Sequence, residues 1–292
     1  MLRSRTWRWM PLLLALGTSL GRASPPDDWS AAVALYESRC YSAAREAFAR
    51  IAGDRPGDPA IHFYLGRLAL WFDDEPAARS HLESAVAASP AEARLYNALG
   101  DAYALAARNA PLLSKFEWAR RCKAAYDRAV DLEPDNPAYR WSRMAYYQLA
   151  PRLAGGGLGK AHAEAAEIGR LDPMSGRIAQ ATLLLSESRA ADAFALFDEV
   201  LRRAPDDFLA LYHVGRCAAL SGEQLARGRA ALQRCLDLRP PVGDGQPTLA
   251  SVHYRLGNIH EQEGDRAAAA REFATARALH PDFRAEKIAL KN

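Results

Sequence analysis

IHFYLGRLALWFDDEPAARSHLESAVAASP, residues 61–90, contains the landmarks that decide the fold of this chain. A Leu-Gly pair is followed at fixed intervals by small or apolar residues and then by a proline: Leu65-Gly66, Ala78, Leu82, Ala85 and Pro90. Ala78, Leu82 and Ala85 have the spacing i, i+4, i+7, which places them on one face of a helix. Pro56 and Pro90 stand 34 residues apart, and the sequence between them matches the sequence before.

The same landmarks recur along the chain. The Leu-Gly pair recurs as Leu99-Gly100, Val214-Gly215 and Leu256-Gly257. The Ala78/Leu82/Ala85/Pro90 set recurs with the same spacing as Ala44/Phe48/Ile51/Pro56 and Ala269/Phe273/Ala276/Pro281. A 34-residue period with this pattern resembles the tetratricopeptide repeat family. The resemblance implies an all-α fold, an α-solenoid in which about seven helix-turn-helix repeats form a right-handed superhelix. It also implies that binding, rather than catalysis, is the default role.

Each landmark has a physical purpose within a repeat, whose two antiparallel helices we call helix A and helix B. Glycine has no Cβ, so the glycine of each pair lets helix A approach helix B closely. The aromatic or Leu four residues after the small Ala of helix B fills the space between the helices. The proline cannot continue helix B, because it lacks an N–H and disfavours helix in the residue before it.

Seven prolines define the repeats: Pro56, Pro90, Pro134, Pro173, Pro205, Pro240 and Pro281. They predict repeats near 25–58, 59–92, 93–136, 137–174, 175–206, 207–241 and 248–283, followed by a short C-terminal tail. Extra sequence around 108–113, 153–157 and 241–247 is expected in turns, because a solenoid tolerates insertions only where no neighbour packs. The first insertion should place Phe116 and Trp118 near the start of a long helix B. The fifth repeat lacks the expected glycine.

The first 24 residues differ in composition from the rest. Arg3, Arg5 and Arg8 precede an apolar run that extends to Leu20, and small residues follow up to Ala23. This pattern predicts a signal peptide, residues 1–24, and a periplasmic or secreted protein. The alternatives are a retained anchor or a mitochondrial presequence.

Cleavage would change the charge balance. Four arginines and no acids would leave, so the formal net charge would move from +3 to −1. A nearly neutral mature protein has no global reason to bind nucleic acid or anionic lipid. We therefore expect no nucleic-acid partner and no stable membrane insertion after cleavage.

The four cysteines match no metal motif, because none forms a C-x-x-C pair. Cys122 and Cys235 occupy positions where other repeats have a small buried residue, so packing explains them. A disulfide between Cys217 and Cys235, in the same repeat, stays open as an alternative.

Two further features resemble functional motifs, but neither predicts a catalytic, cofactor-binding or metal-binding site. The glycine-rich stretch before Lys160 superficially resembles a phosphate-binding loop, but Ala161 follows the lysine where Ser or Thr is required. The stretch is better explained as a wide turn between helices A and B. The scattered histidines form no His-Glu-x-x-His pair, and His253 and His260 lie two helical turns apart.

The strongest candidate site is the concave groove that the resemblance implies. Its predicted partner-binding residues lie on helices A: Trp29, Tyr36, Phe63, Arg67, Trp71, Arg94, Asn97, Asp101, Trp141, Tyr212, Arg216, Tyr254 and Asn258. Aromatic side chains supply large contact areas with few polar tips, as peptide-binding surfaces do. If they bind a partner, they should be accessible, with Tyr212 and Tyr254 as the clearest pair. The alternative is that Trp29, Phe63 and Trp141 belong to the core.

The predicted function is that of an exported scaffold or assembly adaptor that binds a protein or peptide in this groove. The rival is a small-molecule-binding or transport accessory protein that uses the groove as a pocket, and an enzyme is not expected. A small-molecule site should close into a pocket lined by the aromatics, whereas a protein site should stay open along several repeats.

Overall fold

The structure is a computed structural model that describes residues 28–241, 246–280 and 282. The described residues form helices and turns without a strand, in agreement with the predicted all-α solenoid. The predicted signal peptide and most of the C-terminal tail lie outside them. In the part of the chain that is described, no helix combines the length and apolar character needed to cross a bilayer.

Fourteen α-helices and one short 3₁₀-helix make up the described chain. They are α1 (Asp28–Glu37), α2 (Tyr41–Asp54), α3 (Pro59–Trp71), α4 (Glu75–Ala88), α5 (Ala93–Asn109), α6 (Leu112–Leu132), α7 (Pro137–Leu149), the 3₁₀-helix (Arg152–Ala154), α8 (Leu158–Leu171), α9 (Pro173–Ser186), α10 (Ala190–Arg203), α11 (Phe208–Ser221), α12 (Leu225–Leu236), α13 (Leu249–Gln262) and α14 (Arg266–Leu279). Odd-numbered helices are helices A and even-numbered helices are helices B. Seven consecutive pairs result.

Local capping explains where many of these helices begin. The residue before the helix accepts a hydrogen bond from a backbone N–H of the first turn in α3, α4, α7, α9, α11 and α14, through Asp58, Asp74, Asn136, Asp172, Asp207 and Asp265. Proline occupies the first turn of α3, α4, α7 and α9. Its missing N–H costs nothing there, because that N–H has no partner within the helix.

The predicted contacts between helices A and B are confirmed. A Cβ added to Gly100 would lie 2.4 Å from the Tyr126 ring, and one added to Gly257 would lie 2.3 Å from the Phe273 ring. Gly66 and Gly215 face leucines of their own helices B in the same way. These glycines are therefore required for close packing within the repeat.

Helices A line one side of the solenoid. Contacts join α3 to α5, α7 to α9, α9 to α11 and α11 to α13, whereas each helix B from α2 to α12 packs between its own helix A and that of the next repeat. Because the helices A of successive repeats approach one another, they form the inner face.

The first two insertions lie at turns between helices A and B, as predicted. The first lengthens α5 to 17 residues and α6 to 21 residues, with Phe116 and Trp118 in the first two turns of α6. The second forms the 3₁₀-helix and a glycine turn, in which Gly155 and Gly157 have positive φ. Of the third insertion, residues 242–245 lie outside the described residues.

The fifth repeat begins differently from the others. Pro173 is the first residue of α9, and Asp172 alone separates α9 from α8. A Cβ added to Gly176 would lie 2.2 Å from the Cα of Gly169, so α8 and α9 cross with their backbones in contact. The glycine of this helix A therefore lies near its start and serves a crossing between repeats, rather than the contact with its own helix B.

Candidate functional site

The predicted residues of the first repeat mainly stabilise its core. Trp29 packs edge-on against Phe48, with ring centroids 5.6 Å apart, and against Tyr64 at 5.7 Å. Tyr36 contacts Tyr64, and its hydroxyl accepts a hydrogen bond from Arg67 Nε at 3.2 Å. The structure therefore supports the core explanation for Trp29, while the Tyr36 hydroxyl links α1 to α3.

Five predicted residues lie on α3 and α5, the helices A of adjacent repeats, and two of them, Phe63 and Arg94, contact each other. The Arg94 guanidinium lies over the Phe63 ring, 5.0 Å from its centroid, and also pairs with Glu92 at 2.8 Å. Asp101 accepts a hydrogen bond from the Tyr126 hydroxyl at 2.7 Å. The buried Asn97 Oδ1 has no hydrogen-bond partner. We call Phe63, Arg67, Arg94, Asn97 and Asp101 the inner strip.

Two other predicted aromatics do not join this strip. Trp71 ends α3, and its indole N–H donates a hydrogen bond to the backbone oxygen of Asp282 at 3.2 Å. Trp141 packs against the core of α7, α8 and α9, around Met144 and Ile168. Neither residue lies with the strip, because each is held by contacts of its own.

The accessibility predicted for Tyr212 is wrong. Tyr212 is 6% exposed and Arg216 is 4% exposed. The physical reason is the position of α11, which contacts α9, α10, α12 and α13, so that residues 211–219 are all buried. Spacing along one helix could not show how many helices surround it.

Arg216 lies instead in a buried cationic cluster with His213 and Arg255. Its guanidinium donates a hydrogen bond to Thr182 Oγ1 on α9 at 3.1 Å. Burial, and then the neighbouring Arg255, lower the pKa of Arg216 to about 10. Burial and the two arginines hold the pKa of His213 well below its ordinary value, so its imidazole is neutral at pH 7.

Tyr254 and Asn258 remain partly exposed on α13. The Tyr254 ring lies 5.7 Å from Phe273 and faces the Arg255 guanidinium at 5.6 Å. Of the predicted C-terminal group, these two are therefore available to a partner, whereas Tyr212 and Arg216 are not.

A charged network between α6, α7 and α8 was not found from the sequence. Arg143 pairs with Glu164 at 2.7 Å and with Asp127 at 3.4 Å, and Arg140 pairs with Glu164 at 3.3 Å. Lys123 pairs with Asp127 at 2.5 Å. Only the i, i+4 spacing of Lys123 and Asp127 signals it, because the other partners come from different helices.

The remaining features considered for chemistry have structural explanations. Lys160 Nζ donates to the carbonyl oxygen of Gly155 at 2.9 Å, which stabilises the wide turn after the 3₁₀-helix. All four cysteines are free, so Cys217 and Cys235 do not pair. Among the described residues, no group of three or more potential ligands is placed to hold a metal ion.

Two shallow cavities among the described residues are lined by residues outside the inner strip. One, of about 370 Å³, is lined by Glu261, Arg266 and Phe273 together with two alanines. The other, of about 490 Å³, lies at the turn from Glu133 to Pro137. Neither is the aromatic pocket that a small-molecule site in the groove would require.

Comparison with known proteins identifies the repeat. The tetratricopeptide repeat family matches residues 30–71 and 178–242. No curated protein matches the chain.

Solved structures show the same architecture. A thermophilic tetratricopeptide repeat protein of Thermus thermophilus is 26% identical, with a TM-score of 0.56 over 66% of this chain and 96% of its own. One from Parabacteroides merdae is 15% identical, with a TM-score of 0.55 over 90% of this chain and 95% of its own. Yeast Tom70 is 15% identical, with a TM-score of 0.56 over 87% of this chain and 51% of its own. The last two show the fold alone.

Proposed function

The chain is a tetratricopeptide repeat protein, and from this we propose that it binds a protein or peptide partner along the inner face of its repeats. The fold is generally that of a non-catalytic interaction scaffold. The inner strip carries the proposal, because it presents an aromatic ring, two arginines, an amide and a carboxylate on α3 and α5 of adjacent repeats.

The chemistry of the strip suits an extended segment. Phe63 with Arg94 over it offers a flat surface that is apolar on one side and cationic at its rim. On α5, Asn97 adds a side-chain amide whose NH₂ group is a donor suited to a peptide carbonyl, and Asp101, whose carboxylate is held by the Tyr126 hydroxyl, adds negative charge. The two cavities do not favour the small-molecule alternative, since they are lined by residues outside the inner strip.

A double variant tests this proposal. We expect Arg94→Glu with Asn97→Ala to abolish partner capture, because it reverses the rim charge and removes the amide. The measurement is in vivo cross-linking followed by affinity purification from the exported fraction, with helicity checked by circular dichroism.

The matched control is Arg203→Glu on α10, a helix B. Arg203 is exposed and pairs with Glu199 at 2.7 Å, much as Arg94 pairs with Glu92. Proteins recovered with wild type and the control, but lost with the double variant, would support the strip. Equal recovery with all three folded proteins would rule it out.

We also propose that the chain is exported to the periplasm or secreted. The support is the pattern of Arg3, Arg5 and Arg8 before the apolar run and the small residues ending at Ala23. Mass spectrometry of the protein purified from the exported fraction should find an N-terminus at Ser24. Recovery only of the full-length chain in the cell pellet would contradict export.

Thiol chemistry is compatible with an oxidising compartment. Burial raises the pKa of Cys217 to about 11 and that of Cys235 to about 12, and it raises the pKa of Cys122 as well. These thiols stay protonated, and the thiol form is a poor nucleophile. They therefore resist exchange with disulfides.

A further inference from the structure

The two ends of the solenoid are in contact. Asp282, which follows α14, reaches the start of α2, 240 residues earlier in the chain. Its carboxylate accepts a hydrogen bond from the Ser42 backbone N–H at 2.9 Å and another from the Ser42 hydroxyl at 2.7 Å. Such a contact is unexpected in a solenoid, where each repeat normally touches only its neighbours.

Asp282 supplies a cap that α2 lacks locally. The residue before α2, Cys40, makes no side-chain hydrogen bond to the helix. The next two helices take their caps from the residue immediately before them, Asp58 and Asp74. A carboxylate at a helix N-terminus satisfies free N–H groups and interacts favourably with the helix dipole. Asp282 therefore does for α2, from the other end of the chain, what a local aspartate does for α3.

Three aromatic rings pack together beside this cap. The His280 ring stacks on Trp71, with centroids 5.9 Å apart and planes 13° from parallel, and lies 5.7 Å from Tyr41. Tyr41 and Trp71 contact each other at 4.6 Å. The Trp71 indole N–H donates to the backbone oxygen of Asp282. His280 is only 6% exposed, so this is a packed contact.

A further hydrogen bond joins the first and last repeats. Arg39, in the turn between α1 and α2, donates to the backbone oxygen of Gln246 at 3.2 Å, and Gln246 lies just before α13. The segments before and after the last helix pair, at Gln246 and Asp282, thus both contact the first repeat. We call the contact the clasp; its residues are Arg39, Tyr41, Ser42, Trp71, Gln246, His280 and Asp282.

The clasp joins opposite edges of the end repeats. The turn between α1 and α2 and the end of α3 lie on the edge where each helix A gives way to its helix B. Gln246 and Asp282 lie on the other edge, where helix A begins and helix B ends. The seven described repeats therefore close on themselves: one edge of the last repeat meets the opposite edge of the first two, with the helices A inside.

We infer that the clasp holds the solenoid closed and limits access to the inner face until the last repeat separates from the first. The gating role rests on the proposed function, but closure itself does not. The contact consists of four hydrogen bonds and the packed rings of Tyr41, Trp71 and His280, whereas larger apolar clusters join neighbouring repeats. Opening can therefore leave every repeat folded, as in a hinge motion between rigid parts.

Closure can be measured without any partner. Spin labels are placed at exposed sites through Glu46→Cys on α2 and Arg277→Cys on α14, in a Cys40→Ala background. The three native thiols left are buried. Pulsed electron resonance should give a narrow distribution of distances between the labels. Asp282→Ala should broaden it and shift it to longer distances.

Two further variants make the result specific. Ser42→Ala with Trp71→Phe removes the hydroxyl from the first repeat and the indole N–H from the second, and it leaves the last repeat untouched; it should open the molecule as well. Asp265→Ala removes a carboxylate that caps α14 within the last repeat, and it should leave the distance unchanged. An unchanged distribution in both clasp variants would overturn closure. Mixed singly labelled chains that give the short distance would show a contact between copies, which would also overturn it.

Gating needs a separate measurement. A cysteine introduced as Asn258→Cys on α13, also in the Cys40→Ala background, is modified with a small maleimide and with one carrying a bulky polymer. Opening the clasp should raise the rate of the bulky reagent several-fold and leave that of the small reagent unchanged. Equal rates for the bulky reagent in closed and opened proteins would overturn gating. Failure of partner capture by the inner strip would affect the proposed function alone.

Discussion

At the scale of the residue, the glycines of helices A are the most direct test of the packing. Gly257→Leu should lower the free energy of unfolding by about 1–3 kcal/mol, because its Cβ would overlap the Phe273 ring. The measurement is thermal or denaturant unfolding. Gly53→Leu is the matched control, since a Cβ there meets nothing within 4 Å. An equal loss in both variants would mean that crowding at Gly257 is not the cause.

The buried His213 predicts a pH dependence of stability. The folded protein keeps its imidazole neutral, because burial and two nearby arginines lower its pKa. Below pH ~6.5 the unfolded chain binds a proton there that the folded chain does not. The stability is therefore full above that pH and falls as the pH decreases toward the lowered folded value.

Denaturant titrations between pH 7.5 and 5 check this prediction. The loss of stability on acidification should be smaller in His213→Gln than in the wild type. Tyr212→Phe, which alters the adjacent residue and retains the histidine, should keep the wild-type slope. The explanation fails if His213→Gln keeps the full slope.

At the scale of the element, the crossing of α8 and α9 makes an unusual prediction. Alanine is normally a better helix former than glycine by about 1 kcal/mol. Gly176→Ala should nevertheless destabilise the protein, because its Cβ would meet the backbone of Gly169, which cannot move aside as a side chain can. Gly159→Ala in α8, where a Cβ meets nothing within 4 Å, should be neutral or stabilising. Unfolding midpoints of both variants decide the matter; a stable Gly176→Ala protein would contradict this crossing.

The same crossing shows what sequence patterns can and cannot predict. Pairs such as Gly100 with Tyr126 were predictable, because both partners lie in one repeat and recur at a constant interval. The contact between Gly169 and Gly176 occurs once, so no repetition reveals it. The burial of Tyr212 was missed for a related reason, since it depends on helices from three repeats around α11.

At the scale of the whole molecule, the clasp predicts long-range communication between the chain ends. Removing residues 280–292 should speed hydrogen exchange at the Ser42 amide, because its acceptor on Asp282 is lost. The Ala60 amide, which donates to Asp58 within its own repeat, should exchange as before. Mass-resolved or NMR-detected exchange gives both rates in one experiment. Identical Ser42 rates in the full and shortened chains would mean that the contact does not persist in solution.

A contact across 240 residues has no period, so the repeat pattern could not predict the clasp. The register of Trp71 on α3 predicts a groove aromatic. In the structure its indole N–H instead donates to the backbone oxygen of Asp282, after α14.

The overlap of the first and last repeats also bears on how such a chain can evolve. An open array lengthens or shortens by duplication or loss of one unit, since each unit requires only its neighbours. Here an eighth repeat would move Asp282 past Ser42 by the width of one repeat, and loss of a repeat would leave it one repeat away. The contact between the two residues would be lost in either case. Recombination that changes the repeat number would break the ring at once, whereas insertions in turns, such as the one before α6, leave the number intact. A functional clasp would therefore favour retention of the seven described repeats.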